Sequence, residues 1–544
     1  MNEKNTERYL VKSRAVFTGL SSAPEPLAIL VSGKQIERVL PWEEADTIED
    51  CPVCDYGDRM IMPSFVDAHT HLFQGAVGAS DYVCSTLGAC RSERECAQMI
   101  GEFAKEHPDY PVIRGSGWFL GAWDDPSYPD CRSLDEVVPD RPVYLMNADC
   151  HSMWLNTEAL KQAGINADTR VENGQVVRFS DGTPTGLLLE PGAYAPAEKI
   201  FSSFSVQELW EIHRSFQKVL AQYGIGAVSE MFAHDYCEET ERKYDVVKEL
   251  DEAGNMASHV FVYTKLFGYT DFSGYRSMKA KYDSPHFHIA GVKGFIDGVT
   301  ETYTGLLLEP YTDRPETCGE GLPLWPQERM KEEIAAANGE GIQVRLHCIG
   351  DGAVRMALDL YENSLKANGD RDLRNTIEHI ENIHPDDIPR FRKLHVIPSM
   401  QPYHLTLSNN GKVKQLGKER CRYEFPEKTM YDACGELAIG TDYPVVTIDP
   451  FTTIHAALTR CDDDGVPTGQ NHETQKLSMA QILRAYTIEG AKVYHAEEQM
   501  GTIEKGKLAN FIVLDHNLFL TGPEQIRQTK VISNYFEGRR IYHE

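Results

Sequence analysis

The sequence lacks any apolar run long enough to cross a membrane, and its first residues, MNEKNTERYLVK, lack the apolar centre of a secretory signal. We therefore expect a cytoplasmic protein that does not associate with membranes. Basic residues are also scarce, with 54 Lys and Arg against 82 Asp and Glu, a net charge of -28. No basic stripe is present that would follow a phosphate backbone, which disfavours nucleic acid as a partner.

A disulfide framework is also absent. The 13 cysteines are irregularly spaced in a long chain without a secretory signal, so we expect free thiols. Cys51 and Cys54 have the spacing of a metal knuckle, but no second pair follows at the usual distance. Hydrophobic residues make up 41% and charged residues 25%, ordinary values for a folded protein. A chain of 544 residues has room for one large barrel with additional domains.

The middle of the chain alternates apolar segments with helical patterns such as 205–223, 327–339 and 352–366. Eight strands separated by helices are typical of an α/β fold of the (β/α)8 barrel type. The predicted strands are 64–70, 225–231, 259–265, 290–296, 342–347, 374–379, 395–400 and 436–441.

Both ends of the chain are rich in predicted strand, as in RYLVKSRAVFTG and KVISNYFEGRRIYHE. We expect residues 1–62 and 498–544 to form one small β-domain, and residues 63–497 to form the barrel. Residues 75–205 are rich in Trp, Pro, Asp and Cys and are too long for a barrel crossover. We therefore expect an inserted subdomain after strand 1, over the mouth of the barrel.

The segment MIMPSFVDAHTHLF, Met60–Phe73, begins as a buried strand and ends in two histidines separated by one residue. Side chains two positions apart lie on the same side of a strand, so His69 and His71 face the same way. Each buried imidazole needs a polar partner, and one metal ion would supply a partner to both.

Other predicted barrel strands end in similar groups: VRLHCIGD contains His347, TIEHIEN contains His379 and AIGTDYP contains Asp442. Catalytic side chains of such barrels lie at the carboxyl ends of the strands, so these groups should converge. They fit a centre in which a metal lowers the pKa of a bound water and a carboxylate handles its proton. Asp442 would also fit a turn cap. Lys293, in GVKGFIDG, is hard to place in a core unless it snorkels to solvent.

Together these motifs resemble the amidohydrolase superfamily of metal-dependent hydrolases, and within it the family 3 branch that includes N-substituted formamide deformylases. The resemblance covers nearly the whole chain, including PSFVDAHTHL, LHCIGDGAV, IEHIENIHPDDIPRF, IGTDYPV and GTIEKGKLANFIVLD. It implies a distorted (β/α)8 barrel with a small β-sandwich made from both chain ends. It also implies a set of metal-binding residues, namely His69, His71, Lys293, His347, His379 and Asp442.

The resemblance gives two of these residues further roles. Asp442 matches the aspartate that shuttles the proton of the nucleophilic hydroxide. Lys293 matches a lysine that becomes a carbamate, an anion that bridges two metal ions. We therefore expect two zinc ions per chain, or one if Lys293 is not carbamylated, although iron, manganese, cobalt or nickel would fit the same donors.

The expected activity is hydrolysis of a carbon–nitrogen bond other than a peptide bond by a metal-bound hydroxide, in an amide-like small molecule such as an N-formyl or N-acyl amine. The candidate substrate-binding residues are His151, Trp118 and Tyr303, with His404 a weaker candidate, because aromatic side chains often line apolar pockets. Trp in an insertion also packs its own core. The sequence is compatible with a homo-oligomer but does not define the oligomeric state.

Three alternatives remain open. A mononuclear deaminase or cyclic amidine hydrolase would use the same histidines and Asp442 with one metal and an unmodified Lys293. A metal-dependent isomerase or hydratase would use the centre without net amide cleavage. A binding protein on an enzyme scaffold needs no turnover, and the complete ligand set disfavours it.

Overall fold

The chain folds as two compact units in this computed structural model. The larger unit comprises Met1–Leu72 and Gln217–Glu544, and the smaller unit comprises Phe73–Phe216. The structure describes residues 8–49, 51–125, 127–148, 152–171, 174–189, 191–269, 271–300, 303–315, 323–408, 411–471 and 473–544.

The larger unit contains a barrel in which eight neighbouring strands all run parallel. The edge strands meet through hydrogen bonds from Ala68 N to Ile439 O (3.0 Å) and from Asp442 N to His69 O (2.6 Å). The predicted barrel is therefore confirmed. In chain order, barrel strands 1 to 8 are Phe65–Asp67, Ile225–His234, His259–Lys265, Phe287–Phe295, Gln343–Cys348, Thr376–His379, Ile397–Met400 and Ala438–Ile439.

Helices follow the barrel strands and bury one face each. In Asp351–Asn368, for example, Val354, Leu358 and Tyr361 are buried at the spacing of a single helix face. The helices after residue 205 are Val206–Gln222, Glu238–Glu252, Ser273–Tyr282, Gln327–Gly339, Asp351–Asn368, Ile388–Lys393, Gly411–Leu416, Glu427–Cys434, Pro450–Thr459, Met479–Ala485 and Ile488–Val493.

Strands from both chain ends form one mixed sheet of eight strands, here named the terminal sheet. Met60–Pro63 lies inside it, antiparallel to Phe511–Leu514 and parallel to Arg8–Val16. Both chain ends therefore meet in one sheet, as predicted, and the boundaries of the predicted β-domain stay a prediction. The other strands of the terminal sheet are Glu25–Ser32, Gln35–Pro41, Val53–Asp55, Val531–Phe536 and Arg539–His543.

The smaller unit is the predicted insertion after barrel strand 1. Its core contains Trp118, Trp123 and Trp154, packed with aliphatic side chains. Its location over the barrel mouth stays a prediction. Its sheet has the strand order Gln175–Arg178, Pro184–Leu189, Ser152–Leu155, Val143–Asn147 and Ile113–Trp118. The helices in this part of the chain are Leu72–Gly78, Glu93–Glu106, Cys131–Val137, Thr157–Gln162 and Pro191–Phe201.

Two further expectations concern the whole chain. Within the described residues, no helix is both long enough and apolar enough to span a bilayer. The cysteines that the structure describes are free thiols, as their irregular spacing predicts.

Candidate metal centre

The junction of barrel strands 1 and 8 brings two histidines to one carboxylate. Nε2 of His71 lies 2.9 Å from Asp442 Oδ1, and Nε2 of His69 lies 3.4 Å from the same oxygen. The backbone hydrogen bond from Asp442 to His69 holds the two strand ends together. Two imidazole nitrogens around one carboxylate oxygen offer the donor types that bind zinc and similar divalent cations.

Barrel strands 5 and 6, and the helical turn Pro402–Ser408 after strand 7, add three more histidines beside this junction. The ring centre of His379 lies 4.4 Å from that of His347, 4.8 Å from that of His69 and 6.0 Å from that of His404. Nε2 of His404 lies 3.6 Å from Asp442 Oδ2. Ligand atoms of His379, His404 and Asp442 all lie within 4.8 Å of one another. The sequence ranked His404 only as a weaker pocket candidate, whereas the structure places it among the potential ligands.

Two of the strand-end residues have a left-handed backbone. His379 has φ 74° and Asp442 has φ 62°, a region that residues other than glycine rarely adopt. Such strained positions persist where the surrounding structure holds them, and they concentrate at functional sites. The directions of the His379 and Asp442 side chains are therefore set by a left-handed backbone, which the neighbouring strands hold in place.

A buried ion pair lies directly behind His69. Nδ1 of His69 donates to Glu378 Oε2 (2.7 Å), which leaves Nε2 on the side of Asp442. Arg345 donates from Nε to Glu378 Oε1 (2.8 Å) and from its terminal nitrogen to Oε2 (3.0 Å). Burial raises the pKa of Glu378, but the Arg345 guanidinium outweighs burial and holds that pKa well below its usual range.

Sequence reasoning missed both members of this pair. Glu378 directly precedes the strand-end histidine in TIEH, and Arg345 lies two residues before His347 in VRLH. A glutamate and an arginine inside adjacent buried strands were the signal available, because such charges are rarely buried unless they are paired.

Lys293, on barrel strand 4, is a buried amine close to the histidines. Its side chain is 1% exposed, and Nζ lies 5.1 Å from the ring centre of Phe295. Burial lowers the pKa of Lys293 to about 8. In turn its positive charge helps to lower the pKa of both His69 and His347. The structure therefore places Lys293 near the imidazoles, with a pKa closer to neutral than that of an ordinary lysine.

His69 and His347 are held in the form that binds metals. Burial lowers the pKa of His69 to about 4 and that of His347 to about 3. At neutral pH both rings are therefore neutral, with a nitrogen lone pair available for a metal. Burial raises the pKa of Asp442, but His69 and His71 outweigh burial and lower it, so this carboxylate is ionised.

Several buried polar atoms of this centre have no hydrogen-bond partner. Because an unpaired buried polar atom is costly, such a concentration calls for a shared partner. A divalent cation fits this donor set of imidazoles, a carboxylate and an amine that can be modified. The atoms are His71 Nδ1, Lys293 Nζ, His379 Nδ1, His404 Nε2 and Asp442 Oδ1.

The three predicted substrate-binding residues have different positions. His151 lies outside the described residues. Trp118 is 1% exposed, donates from Nε1 to Leu145 O (3.2 Å) and packs in the core of the smaller unit. Tyr303 has φ 62° and donates its hydroxyl to Asp313 Oδ2 (2.9 Å), with the Arg314 guanidinium over its ring. These contacts explain how Trp118 and Tyr303 are held, and their contact with a substrate stays a prediction.

A parallel eight-stranded barrel with histidines and a carboxylate at the carboxyl ends of its strands has the architecture of the barrel hydrolases that use metal ions. The chain belongs to the amidohydrolase family, whose sequence profile matches residues 53–542. The resemblance drawn from the motifs is therefore confirmed, and with it membership of a family of metal-dependent hydrolases.

Individual relatives agree with this assignment. The chain is 28% identical over 551 residues to Protein LONG AFTER FAR-RED 3 of Arabidopsis thaliana, covering 98% of this chain and 91% of that protein. It is 25% identical over 537 residues to N-substituted formamide deformylase of Arthrobacter pascens, covering 94% of each. Its fold is similar to that of an uncharacterized metal-dependent hydrolase from Pyrococcus horikoshii, with a TM-score of 0.77 at 23% identity and coverage of 98% of this chain and 100% of that one.

Proposed function

We propose that this protein hydrolyses a carbon–nitrogen bond in an amide-like small molecule, with N-formyl and N-acyl amines as the substrate class. The observation that carries the proposal is the pair of imidazole nitrogens around Asp442 Oδ1, at the end of the barrel where such enzymes place their chemistry. The similarity to N-substituted formamide deformylase supports the choice of a formyl or acyl amine.

The centre would hold one or two divalent cations, with zinc the natural choice for these donors. When bound, such a cation lowers the pKa of a coordinated water and polarises a carbonyl oxygen. The imidazoles of His69 and His347 and the carboxylate of Asp442 supply donor atoms without a change of protonation state at neutral pH. The residues assigned to this role are His69, His71, Lys293, His347, His379 and Asp442.

Asp442 is the proton carrier in this proposal. Its lowered pKa leaves it ionised and able to accept a proton from the attacking water. It then delivers that proton to the leaving nitrogen, so that an amine and a carboxylate product depart. Oδ2 of Asp442 lies 3.6 Å from His404 Nε2, so this imidazole is placed to stabilise the carboxylate during the transfer.

If the centre holds two cations, Lys293 would supply an anionic ligand to them after modification to a carbamate. The lysine first loses one proton to become a neutral amine; that amine then adds to carbon dioxide, an N–C bond forms and a second proton leaves, which gives an anionic carbamate. Its burial, its pKa of about 8 and the absence of a hydrogen-bond partner for Nζ support this assignment.

The substitution Asp442→Asn tests the catalytic role. We expect turnover of a panel of N-formyl and N-acyl amines to fall by about 10²- to 10⁴-fold, the usual contribution of a general acid–base group. Because Asp442 is also a proposed metal ligand, zinc content is measured alongside by elemental mass spectrometry and turnover is compared per bound zinc. Asp58→Asn, at an aspartate with 86% of its side chain exposed, is the matched control and should change neither quantity. Near-normal turnover of Asp442→Asn would refute the role.

The number of cations is tested by Lys293→Ala. Wild-type protein produced with zinc and bicarbonate should contain about two ions per chain, and the variant should contain fewer, because a carbamate bridge requires the lysine. One ion in both proteins would remove Lys293 from the centre and favour a mononuclear deaminase.

A further inference from the structure

A second group of buried histidines lies at the amino ends of the barrel strands. The candidate metal centre lies at their carboxyl ends. His259 is the first residue of barrel strand 3, and His286 directly precedes barrel strand 4. Glu537 lies in the turn between the last two strands of the terminal sheet. One ligand atom from each residue lies within 4.8 Å of the others, and all three side chains are buried. The geometry therefore gathers two imidazoles and a carboxylate that the proposed hydrolysis does not use.

Asp251 orients one of these imidazoles. Nδ1 of His286 donates to Asp251 Oδ1 (2.5 Å), and the backbone N–H of His286 donates to Asp251 Oδ2 (3.0 Å). With its proton on Nδ1, His286 directs Nε2 towards Glu537 Oε1, 3.1 Å away. A carboxylate behind an imidazole in this way is the usual support of a metal-binding histidine.

The contact between His286 and Glu537 requires a positive charge. Nε2 of His286 and Glu537 Oε1 are close, yet they lack the alignment of a hydrogen bond. A lone pair on Nε2 facing a carboxylate would be repulsive, so either a second proton or a cation must lie between them. Burial lowers the pKa of His286, but Asp251 and Glu537 outweigh it and raise that pKa to about 9, so a proton is the simpler occupant.

His259 favours a cation over a proton as the group between His286 and Glu537. Its Nε2 is buried and has no hydrogen-bond partner, and its ring centre lies 5.0 Å from that of His286. A proton on His286 leaves this atom unsatisfied, at a cost of about 1–3 kcal/mol for a buried polar group. A cation shared by the three side chains would satisfy all of them.

The surroundings suit a small enclosed site. The ring of Phe536 lies 5.3 Å from the rings of both His259 and His286 and forms an apolar wall. The second oxygen of Glu537 is held by Lys34 Nζ at 2.6 Å, which fixes the carboxylate. Two imidazoles and one carboxylate are typical protein ligands of zinc.

We propose that His259, His286 and Glu537 form a second site for a zinc-type divalent cation, which is structural rather than catalytic. The site joins the amino ends of barrel strands 3 and 4 to the terminal sheet. In barrels of this kind that end contributes to stability, whereas chemistry takes place at the other end.

The test compares wild type with His259→Gln and with His288→Gln. His288 is the matched control, because its ring centre lies 6.1 Å from that of His259 and its Nδ1 faces Asp283. After equilibration with zinc, elemental mass spectrometry should show a loss of about one ion per chain in His259→Gln and none in His288→Gln. Turnover per folded chain should stay at the wild-type level in both variants. Equal zinc content in wild type and His259→Gln would overturn the proposal.

A second measurement does not depend on a variant that folds. Crystals of the wild-type protein grown with zinc should show an anomalous difference peak at the zinc edge between His259, His286 and Glu537. An ordered site without such a peak would identify the occupant as a proton and refute the cation.

Discussion

At the scale of single residues, the Glu378 carboxylate, which accepts a hydrogen bond from His69, should control how tightly the centre binds its metal. Replacing Glu378 with glutamine keeps the shape but removes the charge that orients the imidazole. We expect Glu378→Gln to weaken zinc affinity by about 10- to 100-fold, as loss of such supporting groups usually does. Competition titration with a chromogenic chelator measures the effect.

A buried glutamate elsewhere provides the comparison for this variant. Glu333 has a fully buried side chain and accepts from Arg329 Nε at 2.8 Å. Glu333→Gln also removes a buried charge that is paired with an arginine, but it should leave zinc affinity unchanged. Similar losses in both variants would mean that Glu378 acts only through general stability.

A second prediction at this scale concerns pH. Burial raises the pKa of Glu489 to about 7, although Arg484 opposes the shift. The folded state therefore holds a proton more tightly than the unfolded state. The stability this contributes is complete below about pH 4.5, the usual pKa of the group, and is lost as pH rises through about 7.

Glu489→Gln removes this dependence, because an amide does not titrate. We expect wild type to lose thermal stability relative to the variant between about pH 4.5 and pH 7, by about 1.4 kcal/mol per unit of pKa shift. Melting temperatures of the two proteins across this range test the prediction. A constant difference at all pH values would contradict it.

At the scale of elements, the close approach of barrel strands 1 and 8 depends on a residue without a side chain. A Cβ added to Gly440 would lie 2.4 Å from His69 N and 2.7 Å from His69 Cβ. Gly440→Ala must therefore push the two strands apart. We expect a stability loss of about 1–3 kcal/mol or more from overpacking, together with loss of bound zinc.

Gly522→Ala is the control for this change, because a Cβ there would meet no atom within 4 Å. Denaturant midpoints and zinc content should match wild type in this variant. If Gly440→Ala also retained both, the strand junction would not be the element that assembles the centre.

The barrel strands could be predicted from the sequence because each is a short, largely buried apolar run, and strands 1, 5, 6 and 8 also end in a distinctive polar group. That His69, His71, His347, His379 and Asp442 lie close together could be predicted on the same basis, from strand ends alone; their role as metal ligands stays a prediction. The left-handed backbone of His379 could not be predicted, because it depends on how neighbouring strands hold the chain.

Contacts between charged residues that are far apart in the sequence also could not be predicted. Glu378 meets Arg345 and His69 only after three strands pair, and Glu537 meets His286 only after the terminal sheet forms. No local pattern marks such encounters, since each residue looks like an ordinary charge in its own segment.

At the scale of the whole molecule, two units with separate cores should respond differently to loss of metal. Trp118, Trp123, Trp154 and Trp210 lie in the smaller unit, so four of the 6 tryptophans report on it. The proposed metal ligands all belong to the larger unit. A chelator should therefore lower the thermal midpoint seen by circular dichroism more than the midpoint seen by tryptophan fluorescence. A single transition that shifts equally in both signals would show that the units unfold together.

The terminal sheet also determines when the molecule can be completed. Met60–Pro63 pairs with Phe511–Leu514, and the first two proposed ligands, His69 and His71, follow Met60–Pro63 directly. At about 5–20 residues per second, a ribosome needs on the order of tens of seconds between these strands. Throughout that interval the nascent chain carries an unpaired strand edge beside an incomplete metal site. The larger unit therefore cannot be completed until translation approaches its end, and until then the edge of Met60–Pro63 that later pairs with Phe511–Leu514 is open to unwanted pairing.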